Sequence, residues 1–380
     1  MKYIGTNTIA LKSRKLVAGR GQYAGDIYLD NMLYAAFARS PYAHAKIGRI
    51  DTAAARAIEG VVKVLTPDET KNALAPLDPG VPEDVKRATL HALPIEKVRY
   101  VGEPVAAVAA TDKYAARKAA DLIEIDYDDL PAVVDCAAAL EADSPRVQSE
   151  WNDNLLGSLE YRAGDPDRAF AEADGVVSGA VKSHRYLGTP IEPRAYVADF
   201  DPFQRTLTMW ASTQHPHQFR TFLAETLGLP ENSVRVIEND VGGAFGLKMP
   251  FYADEAVIAY LAMALGRPVK WVEERNESFL AGGHAREKRF HYEAAYKKDG
   301  QVTGLRVRAL ADVGAPGALH GWAMAMVCAA TIPTVYKIPN CEISMKAVVT
   351  NKSPWAAYRG FGKENANFVM ERVMDRVADA

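Results

Sequence analysis

Three glycines between a β-branched run and an apolar-periodic run constrain this chain more than any other segment. Positions 234–248 read VRVIENDVGGAFGLK. Val234, Val236 and Ile237 have strand character, and Gly242, Gly243 and Gly246 follow in a loop. Beyond the loop, Val257/Ile258, Leu261/Ala262 and Leu265 recur at helical spacing. Glycines at a strand-to-helix junction admit positive φ and let a ligand approach main-chain N–H groups without a Cβ in the way. The helix start adds unpaired donors and a partial positive charge. Together these features predict a cradle for a polar or anionic cofactor. The spacing matches neither G-x-G-x-x-G nor G-x-x-x-x-G-K-[ST], so the loop is not a nucleotide fingerprint. Taken alone, it is most simply a tight turn.

A chain of 380 residues suggests two domains. A net charge of -3, with the two signs interleaved, gives no electrostatic case for a nucleic-acid or membrane partner. Cys136, Cys328 and Cys341 are widely spaced and odd in number. That disfavours a disulfide framework, a thiolate zinc site or an iron–sulfur cluster within the chain, and fits a cytoplasmic setting. Positions 1–15 hold no apolar core of signal-peptide length. The longest apolar stretches, 256–265 and 322–332, are too short to span a bilayer.

The first part reads as mixed α/β, with short strands at 32–39, 61–65, 105–110 and 123–127. Alanine-rich helices fall at 51–58 and 113–122. Positions 130–151 are looser and acidic, the best candidate for a linker. Alternating strands follow at 176–182, 195–199 and 206–211, then helices at 218–227 and 252–265. A second strand group covers 269–273, 290–297, 302–312 and 343–349. The final run, 364–380, carries Ala366, Val369/Met370, Val373/Met374 and Val377 on one helical face and has no C-terminal glycine. A helix in mid-pattern suggests a longer folding unit that is cut or split; a frayed end is the alternative.

Gln214 closes a strand in the run STQHPH. Its amide can donate and accept, so it can meet an oxo or hydroxo group without adding charge. His215 and His217 have no nearby Cys, Asp or Glu to complete a metal site. Tyr358-Arg359-Gly360-Phe361-Gly362 is a second glycine turn before a helix. Its arginine suits a phosphate or a polar ring edge, and Phe361 suits the wall of an apolar slot. Each residue alone is more simply read as part of an ordinary turn or core. His44, His184, His284 and His320 are scattered and read as satisfied core or surface residues, while Asp126, Asp128 and Asp129 lack calcium-loop spacing.

Seven ordered motifs give the strongest signal. They are GRGQYAGDI (19–27), RSPYAHAKI (39–47), VGEPVAAVAA (101–110), IEPRAYVADFD (191–201), STQHP (212–216), GGAFGLK (242–248) and AYRGFG (357–362). The series resembles the molybdenum-binding large subunit of the xanthine dehydrogenase / aldehyde oxidase family, including its carbon monoxide dehydrogenase branch. The resemblance implies an α+β fold: an α/β hammerhead domain (1–135), a linker (136–160) and the first of two molybdopterin-binding domains (161–380). It implies hydroxylation of an aldehyde or N-heterocycle with oxygen from water, electrons leaving through the pterin to 2Fe-2S and FAD. The cofactor implied is a molybdenum–molybdopterin dinucleotide, the cytosine form being expected, with molybdenum held by the pterin and not by protein ligands. The implied partners are a chain with the second molybdopterin-binding domain, an iron–sulfur small subunit and an FAD-binding medium subunit.

By the same resemblance, Gln214 corresponds to the glutamine that bonds the apical ligand of molybdenum. Gly242, Gly243, Ala244, Phe245 and Gly246 correspond to the loop around the metal–dithiolene end. Arg359 and Gly360 correspond to the turn beside the pterin, and Phe361 to an aromatic that sandwiches substrate. Three departures shape the expectation. Met249 stands where purine oxidisers place a glutamate, and Val327 near where they place a substrate arginine. Gly360-Phe361-Gly362 holds no cysteine, unlike the carbon monoxide branch. The general-base glutamate belongs to a second half that this sequence lacks. Xanthine and carbon monoxide are therefore disfavoured, and an aldehyde or simple heterocycle is expected. A scaffold or cofactor-delivery module that keeps the fold without catalysis is the alternative. A nucleotide-dependent dehydrogenase is weaker still, for want of the dinucleotide spacing.

Overall fold

The computed structural model describes residues 3–78, 80–317 and 321–380. Two sheets organise the chain. Among the described residues the larger has seven strands, in the spatial order Val234–Glu238, Thr206–Ala211, Ala195–Asp201, Val269–Val272, Leu33–Arg39, Pro104–Ala110 and Val61–Leu65. The second runs Leu155–Ala163, Asn340–Val349, Val302–Gly314, Lys288–Tyr296 and Gly175–Ser183. A smaller sheet of Lys97–Val98, Ala45–Asp51 and Glu124–Asp129 completes the N-terminal part.

Side-chain size explains the layers. Every residue of Pro104–Ala110 (PVAAVAA) is buried, as expected for a strand covered on both faces. Helix Lys113–Asp121 packs against it through Ala115, Ala116, Ala119 and Ala120, and Asp112 caps that helix by accepting from Tyr114 and Ala115 N–H. Helix Gly321–Thr331, in the apolar stretch that includes 322–332, packs with the terminal helix Lys363–Asp379 against the five-stranded sheet. The apolar face of the terminal helix is thereby buried within this chain, through Ala366, Val369, Met370, Val373 and Val377.

The stretch 136–160 is held by Asn154. Its Nδ2 donates to the carbonyls of Ala139 (3.0 Å) and Pro145 (2.8 Å), and its Oδ1 accepts from Val147 N–H (3.0 Å). Strand Leu155–Ala163 begins inside it.

The seven-stranded sheet joins distant parts of the sequence where Leu33 and Tyr34 pair in parallel with Val269 and Lys270. A buried ion cluster lies beside this seam. Arg39 donates to Asp254 (2.6 Å) and Glu277 (2.7 Å), while Arg194 donates to Asp254 (3.1 Å) and Glu273 (2.7 Å). The Arg194 guanidinium also lies 3.9 Å from the centre of the Tyr252 ring. Burial pushes the Asp254 carboxyl up, but Arg39 and Arg194 together hold it below its ordinary value. The neighbouring Glu255 bonds the Tyr196 hydroxyl and Tyr252 N–H, and burial pushes it up to about 8.

Asp254→Ala leaves two buried guanidiniums short of a carboxylate, and should lose roughly 3–5 kcal/mol in a denaturant titration. Glu255 holds its proton more tightly folded than unfolded. The stability it contributes is therefore whole below 4.5 and is lost as the pH rises through about 8. Melting curves of Glu255→Gln should accordingly rise relative to the parent chain from about pH 4.5 to about pH 8 and run level above that.

Candidate functional site

Two loops and one side chain meet at an open face. Gln214 follows the strand Thr206–Ala211, and its Oε1 accepts from Gly246 N–H at 2.9 Å. Its own N–H donates to the Lys248 carbonyl at 3.0 Å. The second turn joins the first through Arg359 N–H, which donates to the Phe245 carbonyl at 2.8 Å. The three segments singled out from the sequence are therefore hydrogen-bonded to one another.

Strained backbone shapes this junction. Phe245 (φ 56), Arg359 (φ 34) and Phe361 (φ 57) are non-glycine residues in the left-handed region. Gly246 has φ +105, and a Cβ there would stand 2.6 Å from the Ala357 carbonyl oxygen. Only glycine permits that approach. Gly246→Ala should cost roughly 1–3 kcal/mol in a denaturant titration. Gly228→Ala is the control, at φ +64 with nothing within 4 Å, and should cost less.

The glycine loop does not run straight into the helix. It makes its own turns, Leu247 N–H to Ala244 O (2.9 Å) and Met249 N–H to Gly246 O (3.3 Å), before helix Ala253–Leu265 starts. That helix start is filled by its own acids, since Glu255 accepts from Tyr252 N–H and Asp254 is claimed by Arg39 and Arg194. The expected cradle at a helix N-terminus is corrected: the donors here come from the loop and from side chains.

Gln214, Phe245, Arg359 and Gly360 are exposed; Gly242, Gly243 and Phe361 are half-buried; Ala244 and Gly246 are buried. The Phe361 ring packs against the core. Among the described residues, nothing accepts from Gln214 Nε2 and no carboxylate pairs with Arg359. The second turn is braced from behind. Asn365 accepts from Lys288 Nζ (3.0 Å) and donates to Arg286 O (3.2 Å), and the Arg286 guanidinium lies 4.4 Å from the Tyr358 ring centre. Met249 and Val327 are half-buried and apolar.

Sequence reasoning assigned no role to Glu192, Lys248 or Ser212. Glu192 Oε2 accepts from Gly242 N–H (2.7 Å), Ser212 Oγ (2.8 Å) and Lys248 Nζ (2.7 Å). All three lie within quoted motifs, but nothing local reveals that they meet. The first motif also lands here. Gln22 and Asp240 exchange two bonds of 2.9 Å, and the Tyr23 ring lies beside Gly242.

Three of the histidines meet nearby oxygens. His215 Nδ1 meets Gln218 Oε1 (3.0 Å), His44 bonds the Pro131 carbonyl (2.7 Å), and His284 bonds the Phe279 carbonyl (3.1 Å). His184 is exposed, and His320 lies outside the described residues. No group of three or more potential metal-ligating side chains occurs among the described residues.

Residues 18–131 match the aldehyde oxidase and xanthine dehydrogenase a/b hammerhead domain, and residues 147–380 match the molybdopterin cofactor-binding domain. The chain belongs to the xanthine dehydrogenase / aldehyde oxidase family of molybdopterin-binding proteins. It is 37% identical to the nicotine 6-hydroxylase large subunit of Paenarthrobacter nicotinovorans, over 99% of this chain and 46% of that one. It is 33% identical to the nicotinate dehydrogenase large molybdopterin subunit of Eubacterium barkeri, over 99% of this chain and 86% of that one. The solved quinoline 2-oxidoreductase of Pseudomonas putida 86 superposes with a TM-score of 0.93 at 35% identity, over 99% of this chain and 48% of that one. The chain thus spans about half the length of two of these relatives and most of the third. No helix among the described residues is long and apolar enough to cross a membrane.

Proposed function

We propose that this chain is the molybdenum–pterin-binding subunit of an oxidoreductase that hydroxylates an N-heterocycle or an aldehyde, with oxygen drawn from water. The observation that carries this reading is the hydrogen-bonded meeting of Gln214, the loop 242–248 and the turn 357–362 in a molybdopterin-binding domain. The donor set fits such a cofactor. Gln214 turns its amide oxygen to Gly246, leaving Nε2 as a donor, and Arg359 adds a cation with no carboxylate beside it. Neither is a thiolate or imidazole, so these groups suit the oxygens of a metal held by another ligand.

When bound, the molybdenum–pterin centre supplies the two-electron oxidation and the transfer of water-derived oxygen to an electron-poor carbon. This chain's residues bind and orient. Gln214 donates from Nε2 to an oxygen of the centre without adding charge, and Gly242, Gly243, Ala244, Phe245 and Gly246 enclose it in backbone. Arg359 and Gly360 meet the pterin side, and Phe361 forms a wall for a flat substrate. Met249 and Val327, half-buried and apolar, suit a substrate less polar than a purine, and nicotine, nicotinate and quinoline in the names of the three relatives favour a nitrogen heterocycle.

Residues 1–135 form the hammerhead unit in this reading, with 136–160 the connection and 161–380 the cofactor domain. A separate chain supplies the second molybdopterin-binding domain, for which the match to 86% of the nicotinate dehydrogenase large molybdopterin subunit is the support. An iron–sulfur subunit with 2Fe-2S clusters and an FAD-binding subunit take the electrons. The pterin is the cytosine dinucleotide, and the three free, buried cysteines suit a cytoplasmic setting.

The complex, purified with its partner, should contain molybdenum and pterin in equal amounts by elemental analysis and pterin fluorescence; absence of both overturns the reading. Gln214→Ala should lower kcat by about 100-fold. Arg359→Ala should lower pterin retention. Arg359→Ala should keep the parent melting temperature, and Gln214→Ala should stay folded with a modestly lower one, since it leaves Gly246 N–H without its acceptor.

A further inference from the structure

The loop is closed from beneath by an ion pair between residues far apart in sequence. Glu192 Oε2 accepts three donors at once: Gly242 N–H (2.7 Å), Ser212 Oγ (2.8 Å) and Lys248 Nζ (2.7 Å). Glu192 N–H returns a bond to the Gly242 carbonyl (3.1 Å). Gly242 and Lys248 bracket the loop, so one carboxylate ties its two ends together. Ser212 stands two residues before Gln214, whose N–H in turn bonds the Lys248 carbonyl (3.0 Å). The same carboxylate therefore fixes the strand end that carries Gln214.

Stability alone is a poor reason for this arrangement. The Lys248 side chain is fully buried, and Glu192 is its ion-pair partner among the described residues. Glu192 Oε1 is buried without a hydrogen-bond partner. A well-packed apolar pair in such a place is commonly as stable as the ion pair or more so. What an apolar pair cannot do is take a backbone N–H, a hydroxyl and an ammonium on one oxygen. A Cβ on Gly242 would stand 2.6 Å from Glu192 Cβ, so the loop also gives up a side chain to let Glu192 in.

We propose that Glu192 and Lys248 are positioning residues, a clasp that holds the amides of loop 242–248 and the Gln214 side chain in one rigid frame. The ordering of the loop stands on this geometry alone; its consequence for turnover rests on the cofactor reading given above. Glu192→Asp is the sharpest variant. It keeps the charge for Lys248 but shortens the reach to Gly242 N–H by one methylene.

Hydrogen–deuterium exchange on the full chain without cofactor reads the clasp directly. In Glu192→Asp the amides of 242–247 should exchange about tenfold faster, while helix Ala253–Leu265 keeps its protection and the melting temperature holds. In the assembled complex kcat should fall about tenfold while KM changes less than about twofold, as expected for a misplaced Gln214. Parent-like protection of the loop in Glu192→Asp overturns the proposal, as does an equal loss of protection throughout the chain. Should that variant fail to fold, Glu192→Gln/Lys248→Met removes the charge pair in neutral form. The same local loss of protection is expected there, and parent-like protection overturns the proposal. A parent complex without molybdenum or pterin would sink the functional reading while leaving the exchange result intact.

Discussion

Asp254 is the point on which the two parts of this chain are joined. It takes one guanidinium from Arg39, in the N-terminal strands, and one from Arg194, beside the strand that leads to the site. Removing two cations and three carboxylates from water is costly, and each is retained here because its partners are placed by sheet pairing. The parallel join of Leu33–Tyr34 with Val269–Lys270 brings Arg39 to Asp254, and Ala195–Val272 pairing brings Arg194 to Glu273. The hammerhead and cofactor-binding segments therefore share a sheet and a buried ion cluster. A rigid seam of this kind lets the loops on its edge hold strained conformations that a looser scaffold would relax.

The site sits at that edge. Strands Thr206–Ala211 and Val234–Glu238 pair in parallel, so the segments leaving both, the one with Gln214 and the one with the glycines, start side by side. Helix Ala253–Leu265 contributes little charge to this place, because its first turn is committed to the ion cluster. The donors at this junction are instead individual groups aimed by hydrogen bonds. Gln214 is the clearest case: accepting from Gly246 N–H fixes which end of the amide faces outward.

Much of this was legible from residue order. The all-buried PVAAVAA strand reads as a continuous apolar run, and Gly175–Ser183 alternates half-buried and exposed positions residue by residue, as its sequence pattern predicts. The glycine loop, Gln214 and the Arg359 turn stood out as residue types suited to a cofactor, and hydrogen bonds now join them. What stayed hidden was pairing across long sequence separations. Glu192 lies 56 residues from Lys248 and 50 from Gly242. No periodicity or local propensity encodes such a meeting. The helix after the glycines misled for a related reason: its period located it correctly, but only the fold reveals that buried arginines engage Asp254 in its first turn. Positions 130–151 looked loose because their backbone is bonded by side chains such as Asn154, not by a regular ladder.

The electrostatic character of the open face follows from these commitments. Carboxylates near the site are already engaged: Glu192 by three donors, Asp240 by Lys15 and Gln22 N–H, and Glu364 facing Arg286. The groups left outward at Gln214 and Arg359 are donors. A surface whose carboxylates each face a cation from below and whose donors are exposed above favours a ligand rich in oxygen and negative charge, and disfavours a bare cation. The side chains of Phe245, partly exposed, and Phe361, packed on the core, add apolar walls beside those donors. An anionic group with an attached flat ring system satisfies both demands at once, and the chain meets them with neutral amides and one arginine.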